Sequence, residues 1–273
     1  MQPFRCFMLV LVLSSGASAA FNQFYTTPLA AATAYSSVAA AYGNGLFPVN
    51  PALGARLSQW YAQVYYSRLF SLKELQTAGL VVGGALNNHY WGLHVYSFGY
   101  SLYRENLLQL NYARQWERGR LAAGASVQVY HVNIARYGSR VAVGMNLGIF
   151  YQASSSVSFG GVVMNVNEPR LSGTTEQLPY VFAVGVSVHP VKQGEIVAAI
   201  SKESDYPVEY RIGFQYRLNS RLAVYSGYTT SGPQPTGGIQ LRVGNWHMNY
   251  VVQYHFLLGA THLVGVTFGG DPW

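Results

Sequence analysis

The sequence predicts an all-β fold: a transmembrane antiparallel β-barrel of about 14 strands with an N-terminal hatch or plug segment. Only 10% of the 273 residues are charged and 15% are aromatic, whereas soluble domains carry about 25% charged residues. Residues 246–256 alternate, with apolar, mostly aromatic side chains at even positions and mainly polar ones at odd positions. This is the period of a strand with lipid on one face. After residue 20, no apolar run approaches the roughly 18 to 20 residues that a spanning helix needs.

The first twenty residues form a separate unit. Arg5 supplies a positive charge, residues 7–13 an apolar core, and residues 17–19 an Ala-Ser-Ala cleavage site. This order is typical of a secretory signal peptide, so we expect residues 1–20 to be removed on export. The single cysteine, Cys6, would leave with them, so we expect no disulfide and no cysteine metal site in the mature chain.

Residues 21–57 form a second unit, in which the alternation is absent. They contain no Asp or Glu, because the first acid of the chain is Glu74. Such a segment can lie inside a pore without burying a carboxylate, so we predict a hatch or plug; a disordered periplasmic arm is the alternative. Asn50, Pro51 and Ala52 predict a rigid corner, because proline fixes its own φ and favours an extended residue before it. The corner is either part of a gate or an ordinary turn into the first strand.

Residues 58–273 are predicted to form the barrel itself. Strand-like segments recur at roughly ten-residue spacing between Gly, Asn, Ser, Pro or charged turns, and their even number suits a closed barrel; a count of twelve is the alternative. The last strand must pair with the first, because an unpaired edge would otherwise face lipid. The predicted strands are 59–70, 76–87, 89–98, 106–116, 120–134, 141–152, 156–165, 179–189, 194–202, 207–218, 221–230, 236–243, 246–257 and 261–269.

The connections between the predicted strands alternate in length. Those after even-numbered strands are brief, as at 219–220 and 244–245, whereas those after odd-numbered strands include 99–105, 135–140 and 165–178, the longest. Short periplasmic turns and longer external loops are typical of outer-membrane barrels. With the N-terminus in the periplasm, the longer set would face outside.

The polar strand faces predict a basic lumen. A charge on the lipid face at mid-bilayer would cost about 2–4 kcal/mol, so Arg211, Arg217 and Arg242 are expected to point inward. The basic side chains could accept a carboxylate or phosphate head group, or they could hydrogen-bond hatch carbonyls and hold the plug still. The two histidines of strand 246–257 lie about 26 Å apart at ~3.3 Å per residue, so they cannot share a metal ion. The candidate residues are His94, Arg211, Arg217, Arg242, His247 and His255.

Three short motifs accompany this pattern: Val-Asn-Pro-Ala-Leu at 49–53, Tyr-Arg-Glu at 103–105 and Val-Gly-Val-Thr-Phe at 264–268. With them, the chain resembles the FadL-like outer-membrane transport proteins of Gram-negative bacteria, and it is most similar to the short PorV/PorQ-type branch associated with type IX secretion. The resemblance covers nearly the whole mature chain. It implies a hatch that closes the lumen, and in the fatty-acid transporters the Asn-Pro-Ala element, here residues 50–52, belongs to that hatch.

Composition and motifs argue against two other classes. The formal net charge is +7, but the basic residues are scattered rather than clustered with stacking residues, so we expect no nucleic-acid partner. All ten acids lie near connections or strand ends, which leaves no mid-strand carboxylate pair for hydrolysis. No nucleotide fingerprint follows a strand into a helix. We therefore expect neither an enzyme nor a cofactor.

Two functions of different classes remain, both in contact with outer-membrane lipid. The protein could pass hydrophobic small molecules across the membrane, with a pocket formed by Phe21, Phe24, Tyr25 and Tyr42 between hatch and wall. Alternatively, it could be a secretion-associated protein that binds partner or cargo proteins at the loop 165–178. A small porin or a purely structural barrel is a third possibility, and an open porin would conduct ions without any change to the hatch.

Overall fold

The structure is a computed structural model that describes residues 21, 26–41, 43–87, 89–204, 206–231 and 234–270. The predicted signal peptide at 1–20 lies outside these residues, as do Phe24, Tyr25 and Tyr42 of the predicted pocket. Across the described residues, no helix has the length and apolar character needed to cross a membrane.

Fourteen antiparallel strands form a closed barrel in the described part of the chain. The strands are β1 (Tyr61–Arg68), β2 (Gln76–Leu86), β3 (His89–Gly99), β4 (Tyr103–Trp116), β5 (Leu121–Ile134), β6 (Gly138–Gln152), β7 (Val157–Met164), β8 (Val181–Val191), β9 (Gly194–Glu203), β10 (Glu209–Arg217), β11 (Leu222–Thr229), β12 (Gln234–Val243), β13 (Trp246–His255) and β14 (Gly259–Gly269). Each strand pairs with its sequence neighbours, and β1 closes the barrel on β14, with Tyr61 opposite Gly269. The predicted fold and closure are confirmed.

All strand ends lie within two residues of the predicted bounds except the starts of β4 and β6, which come three residues earlier. The loops predicted at 99–105 and 135–140 are therefore wrong in extent, because each contracts to a three-residue connection. The ladder continues through this region, since Ile134 lies opposite both Tyr103 and Gly138. The turn residues in these two stretches predicted loops, but hydrogen bonding to the neighbouring strands extends β4 and β6 into them.

The two faces of the strands follow the predicted alternation. In β13, Trp246, Met248 and Tyr250 are 42–50% exposed, whereas His247 and Asn249 are 2% and 8% exposed. The outer surface of the barrel thus carries large apolar side chains, and the inner face carries buried polar side chains together with apolar ones, as expected for a sheet with lipid outside.

Replacing Ile239 by Arg is expected to destabilise the barrel by about 2–4 kcal/mol, because a charge near the middle of β12 would then enter lipid. Ile239 is 44% exposed on the outer face. Gln240→Arg is the matched control, since Gln240 faces the lumen and donates to Asn249 at 3.0 Å. Urea titration of the protein folded into phospholipid vesicles measures the free energy of unfolding of both variants. Equal stability would contradict the assignment of the faces.

The N-terminal segment, residues 21–57, precedes the barrel, and nearly all its described residues are buried. A short helix, α1 (Pro28–Ala32), has proline at its start, where the missing N–H costs nothing, and continues with three alanines, the best helix formers. Two 3-10 helices cover Ser37–Ala39 and Pro51–Arg56. Small side chains let this backbone lie close to the barrel wall.

Candidate functional site

The inner wall of the barrel carries buried polar side chains among buried apolar ones such as Tyr90, Leu107 and Phe150, and the N-terminal segment lies against it. Buried polar groups need hydrogen-bond partners, and here the hydrogen bonds between wall and segment hold the segment in place. Buried polar side chains on the inward face include Gln63, His94, Gln109, Asn111, Ser126, Gln128, Asn146, Ser158, Asn249 and Gln253.

The corner at residues 50–52 is docked on β6. The side-chain nitrogen of Asn50 donates to the carbonyl oxygens of Val38 at 2.8 Å and Ile149 at 3.1 Å. Its side-chain oxygen accepts from the backbone N–H of Ala52 at 3.0 Å, which caps the 3-10 helix that follows. A single buried side chain therefore joins two parts of the segment to each other and to the barrel wall.

Inward-facing glycines make room for this corner. A Cβ atom at Gly148 on β6 would lie 2.0 Å from Asn50 Oδ1, and one at Gly124 on β5 would lie 2.5 Å from the carbonyl carbon of Pro51. The Pro51 carbonyl oxygen also accepts from the Asn111 side chain at 3.2 Å. The close approach of segment and wall thus depends on the missing side chains.

The substitution Gly148→Ala is expected to displace the corner and lower stability by about 1–3 kcal/mol, because the new methyl group overlaps Asn50. Gly237→Ala is the control, since the nearest atom to a Cβ there is 3.9 Å away. Thermal unfolding and the rate of chymotrypsin cleavage within the segment report the effect. If the two variants behave alike, the corner is not tightly docked.

Glu195 on β9 holds the middle of the segment. Its carboxylate, 2% exposed, accepts from the backbone N–H of Ala41 at 2.9 Å. The same carboxylate accepts from the Ser187 hydroxyl and the Gln215 amide, and His189 Nε2 lies 3.5 Å from it. The acid-free segment is thus fixed by an acid of the wall.

Glu105 on β4 holds the start of the segment in a similar way. It accepts from the backbone N–H of Phe21 at 3.0 Å and from the Tyr103 hydroxyl at 2.7 Å. The Phe21 ring packs edge-on against Tyr130, with 4.8 Å between ring centroids. Phe21, a predicted pocket residue, is therefore buried against the wall.

Arg211 on β10 contacts the segment at Tyr35. Its guanidinium donates to the Tyr35 carbonyl at 3.4 Å and lies 6.0 Å from the centre of the Tyr35 ring. It also pairs with Glu209 at 2.5 Å, and Glu209 accepts from the Thr229 hydroxyl. The arginine charge is therefore balanced locally while it binds a carbonyl of the segment.

Arg56 anchors the end of the segment near the short turns. It donates to the carbonyl of Gly119 at 2.6 Å and to the side chain of Gln152 at 3.4 Å. Its guanidinium lies 4.9 Å from the centre of the Phe150 ring, close enough for a cation–π contact. Both ends of the segment are therefore held.

Two polar cavities lie at opposite ends of the lumen, with the segment between them. At the end with the longer connections, a cavity of about 230 Å³ is lined by residues that include Tyr35 and Arg211. At the end with the short turns, a cavity of about 250 Å³ is lined by residues that include Arg56, Asn87 and Gln115. Tyr35 of the segment lines the first cavity and Arg56 lines the second, so the segment borders both.

No protein-family model and no curated protein matches the sequence, but solved structures match the fold. The CymD monoaromatic hydrocarbon channel has a TM-score of 0.69 at 13% identity, over 91% of this chain and 98% of the channel. The Ralstonia pickettii toluene transporter TbuX has a TM-score of 0.67 at 12% identity, over 92% and 98%. A Pseudomonas aeruginosa FadL homologue has a TM-score of 0.56 at 10% identity, over 90% and 96%. This chain has the fold of the FadL-like outer-membrane barrels.

Within this FadL-like barrel, the predicted site residue His94 lies in the middle of β3. It is fully buried, and its Nε2 atom lies 2.8 Å from the Tyr65 hydroxyl. It stands opposite Gln109 in the strand register. His94 therefore belongs to the tyrosine-rich and amide-rich wall rather than to a cluster of cations.

Three other predicted residues of the FadL-like barrel lie near the short turns. Arg217 donates to the carbonyl of Lys192 at 3.2 Å, and Arg242 donates to the carbonyl of Gly244 at 3.1 Å. His247 is the cross-strand partner of Arg242. Of the six predicted cationic or titratable residues, only Arg242 and His247 are brought side by side in the register.

His255 lies at the other end of the barrel, at the tip of the β13–β14 hairpin. Its Nδ1 atom accepts from the backbone N–H groups of Leu257 and Leu258, each at 3.2 Å. Its ring packs edge-on against Phe70, with 5.8 Å between centroids. The six predicted residues are therefore spread along the barrel and form no single anion site.

Sequence reasoning missed three acids of the inner wall: Glu105 and Glu195 are buried and bind the segment directly, whereas Glu209 is partly buried and pairs with Arg211. Glu105, Glu195 and Glu209 were grouped with the acids at strand ends, and that position is correct. The signal that could have found them is strand phase: Arg211 points inward, so Glu209, two residues before it, does so too. Across the described residues, no three His, Cys, Asp or Glu side chains gather in an arrangement that could hold a metal ion.

Proposed function

We propose that this protein passes hydrophobic small molecules across the outer membrane of a Gram-negative bacterium, which it reaches through a cleaved signal peptide at 1–20. The observation that carries the proposal is the occupied lumen, in which an acid-free segment separates two cavities. Two barrels of similar fold are named as a monoaromatic hydrocarbon channel and a toluene transporter, which supports the class of substrate.

The segment brings apolar side chains into the lumen. Leu29, Leu46, Phe47, Val49 and Leu53 are all buried there, among alanines and glycines. A hydrophobic molecule that moves between the segment and the wall would contact these side chains once hydrogen bonds such as that of Asn50 to Ile149 have opened. This favours hydrophobic molecules over ions.

In this proposal, residues 50–52 form the gate and Arg211 lies at the entrance. The gate assignment is supported by Asn50, whose side chain bonds both the segment and the carbonyl of Ile149. Arg211 and Tyr35 line the outer cavity, so the head group of an amphiphile would meet them first. The Arg211–Tyr35 contact also supports the alternative role, in which the arginine holds the segment still.

Uptake by Gram-negative cells that carry the protein in the outer membrane tests the proposal. Labelled toluene and a labelled long-chain fatty acid should enter faster than in cells with an empty vector. Asn50→Ala should raise uptake further, because the gate loses its bonds to the wall. Asn133→Ala is the control, since Asn133 is exposed near the end of β5. Folded protein in the outer membrane without any gain in uptake would overturn the proposal.

A second candidate function is binding of partner or cargo proteins, as the resemblance to the PorV/PorQ-type branch implies. It is favoured by the connection at 165–180, which packs along the edge of β6. The backbone N–H groups of Val166 and Ser172 donate to the carbonyls of Met145 and Val141, each at 2.9 Å. The connection is therefore ordered, and it forms a platform at the rim of the barrel.

Mass spectrometry of the lipids and proteins that co-purify with the detergent-extracted native protein separates the two candidates. A stoichiometric hydrophobic ligand without protein partners supports passage. Reproducible partner proteins that are lost when residues 167–178 are deleted support the binding function. Partners that persist after this deletion would exclude the loop as their site.

A further inference from the structure

An apolar groove of about 460 Å³ lies on the outer wall of the barrel. The outward phase of β3, β4 and β5 places Trp91, Leu110 and Val127 along it, and these side chains are 44–59% exposed. Trp60 forms one side of the groove: it covers Gly84, where a Cβ atom would lie 2.4 Å from its ring. The groove is separate from both lumen cavities.

The groove lies within the lipid-facing belt, towards the end of the barrel with the short turns. The Trp91 and Tyr112 rings pack at 4.9 Å between centroids, and tryptophan and tyrosine collect at the level of lipid head groups. The lining includes the small residue Ala125 between the larger Tyr112 and Val127, which leaves space for a chain in the groove. In a bilayer, the chemistry that fills such a groove is an acyl chain.

A cation stands at one end of this groove. Arg114 follows Tyr112 on the outward face of β4, about 7 Å further along the strand at ~3.3 Å per residue. Its side chain is exposed, lies over the Trp116 ring at 5.6 Å and takes part in no ion pair with a described residue. Its cross-strand partner His89 also belongs to this end, since its Nδ1 atom lies 2.7 Å from the Tyr112 hydroxyl.

We propose that this outer groove, with Arg114 and His89 at its end, is a binding site for one glycerophospholipid of the membrane leaflet at the short-turn end. The acyl chain occupies the groove, and the phosphate lies against the Arg114 guanidinium and the Tyr112–His89 pair. Arginine is suited to this task because its planar donors match phosphate oxygens. The site concerns the membrane around the barrel and does not depend on what passes through the lumen.

Native mass spectrometry of the full-length protein released from phospholipid nanodiscs tests this site. Phosphatidylglycerol and phosphatidylethanolamine are titrated separately, with diacylglycerol as a ligand that has chains but no phosphate, and inorganic phosphate as one that has no chain. We expect a single phospholipid to remain bound after delipidation, and neither diacylglycerol nor phosphate alone to do so. Binding of diacylglycerol as tight as that of the phospholipids would overturn the role of the cation.

Two variants test the two halves of the site. Arg114→Gln should weaken phospholipid binding about fivefold, as expected for loss of one interfacial cation. Ala125→Phe should abolish retention by filling the groove. The controls are Arg221→Gln, an exposed cation in another short turn, and Ala198→Phe, on the outward face of β9. Unchanged binding in the two test variants, or equal loss in the controls, would overturn the proposal.

Discussion

Deleting residues 26–57 is expected to turn a poorly conducting protein into an open pore, with single-channel conductance rising on the order of tenfold or more. The reason is that the segment lies in the lumen between the two end cavities, and without it a fourteen-strand barrel with many polar side chains on its inner wall remains. Barrels of this size lie between those filled by side chains and those with wide aqueous channels. Planar-bilayer recordings of purified protein measure the change.

The deletion needs a check that the barrel still forms. Folded barrels migrate differently from heated ones in electrophoresis, so the same sample can be examined for folding before it is recorded. The matched variant removes only residues 167–178, which lie in the connection at the rim. A folded deletion variant that stays closed would show that the described segment is not what blocks the lumen.

Replacing Glu195 by Leu is expected to release the middle of the segment. The Ala41 N–H and the Gln215 amide would then be buried without their acceptor, at about 1–3 kcal/mol for each group. We expect a lower unfolding temperature and faster chymotrypsin cleavage near Phe47. The expected loss is larger than for a surface substitution, because Glu195 is 2% exposed.

Two further variants separate the carboxylate contacts from the bulk of the side chain. Glu195→Gln keeps an acceptor oxygen at nearly the same place, so we expect a smaller effect on cleavage. Glu176→Leu removes an exposed acid of the long connection and should leave the segment protected. If Glu195→Leu and Glu176→Leu are cleaved at the same rate, the segment is not held by the wall acid.

The strand pattern is a local property, and for that reason the sequence predicted it well. Alternation in residues 246–256 is visible in the chain itself, and β13 has the phase that this alternation predicted. The inward direction of Arg211 followed from the cost of a charge in lipid. The loops at 99–105 and 135–140 were wrong, because the true strand ends depend on partners across the sheet, such as Ile134 opposite Tyr103.

The site was less predictable, because its contacts join residues far apart in the chain. Asn50 was found as part of a short motif, but nothing in the motif indicated that Ile149 would accept its hydrogen bond. The pairing of Ala41 with Glu195 spans 154 positions. The candidate cations share an inward strand phase, yet they do not converge, because an inward phase says nothing about height along the barrel.

By itself, the sequence determined the class of fold and the alternation of side chains between lipid and lumen, because both follow from a two-residue period and from the cost of polar groups in a membrane. It predicted about 14 strands and left twelve open, and the closed sheet decided the count. Only the tertiary structure decided how the N-terminal segment is held. Gly148 could be recognised as the space for Asn50, and Glu195 as the acceptor for Ala41, only after the closed barrel had brought distant strands around the segment. Closure of the barrel is a long-range event, and it creates contacts that no local pattern contains.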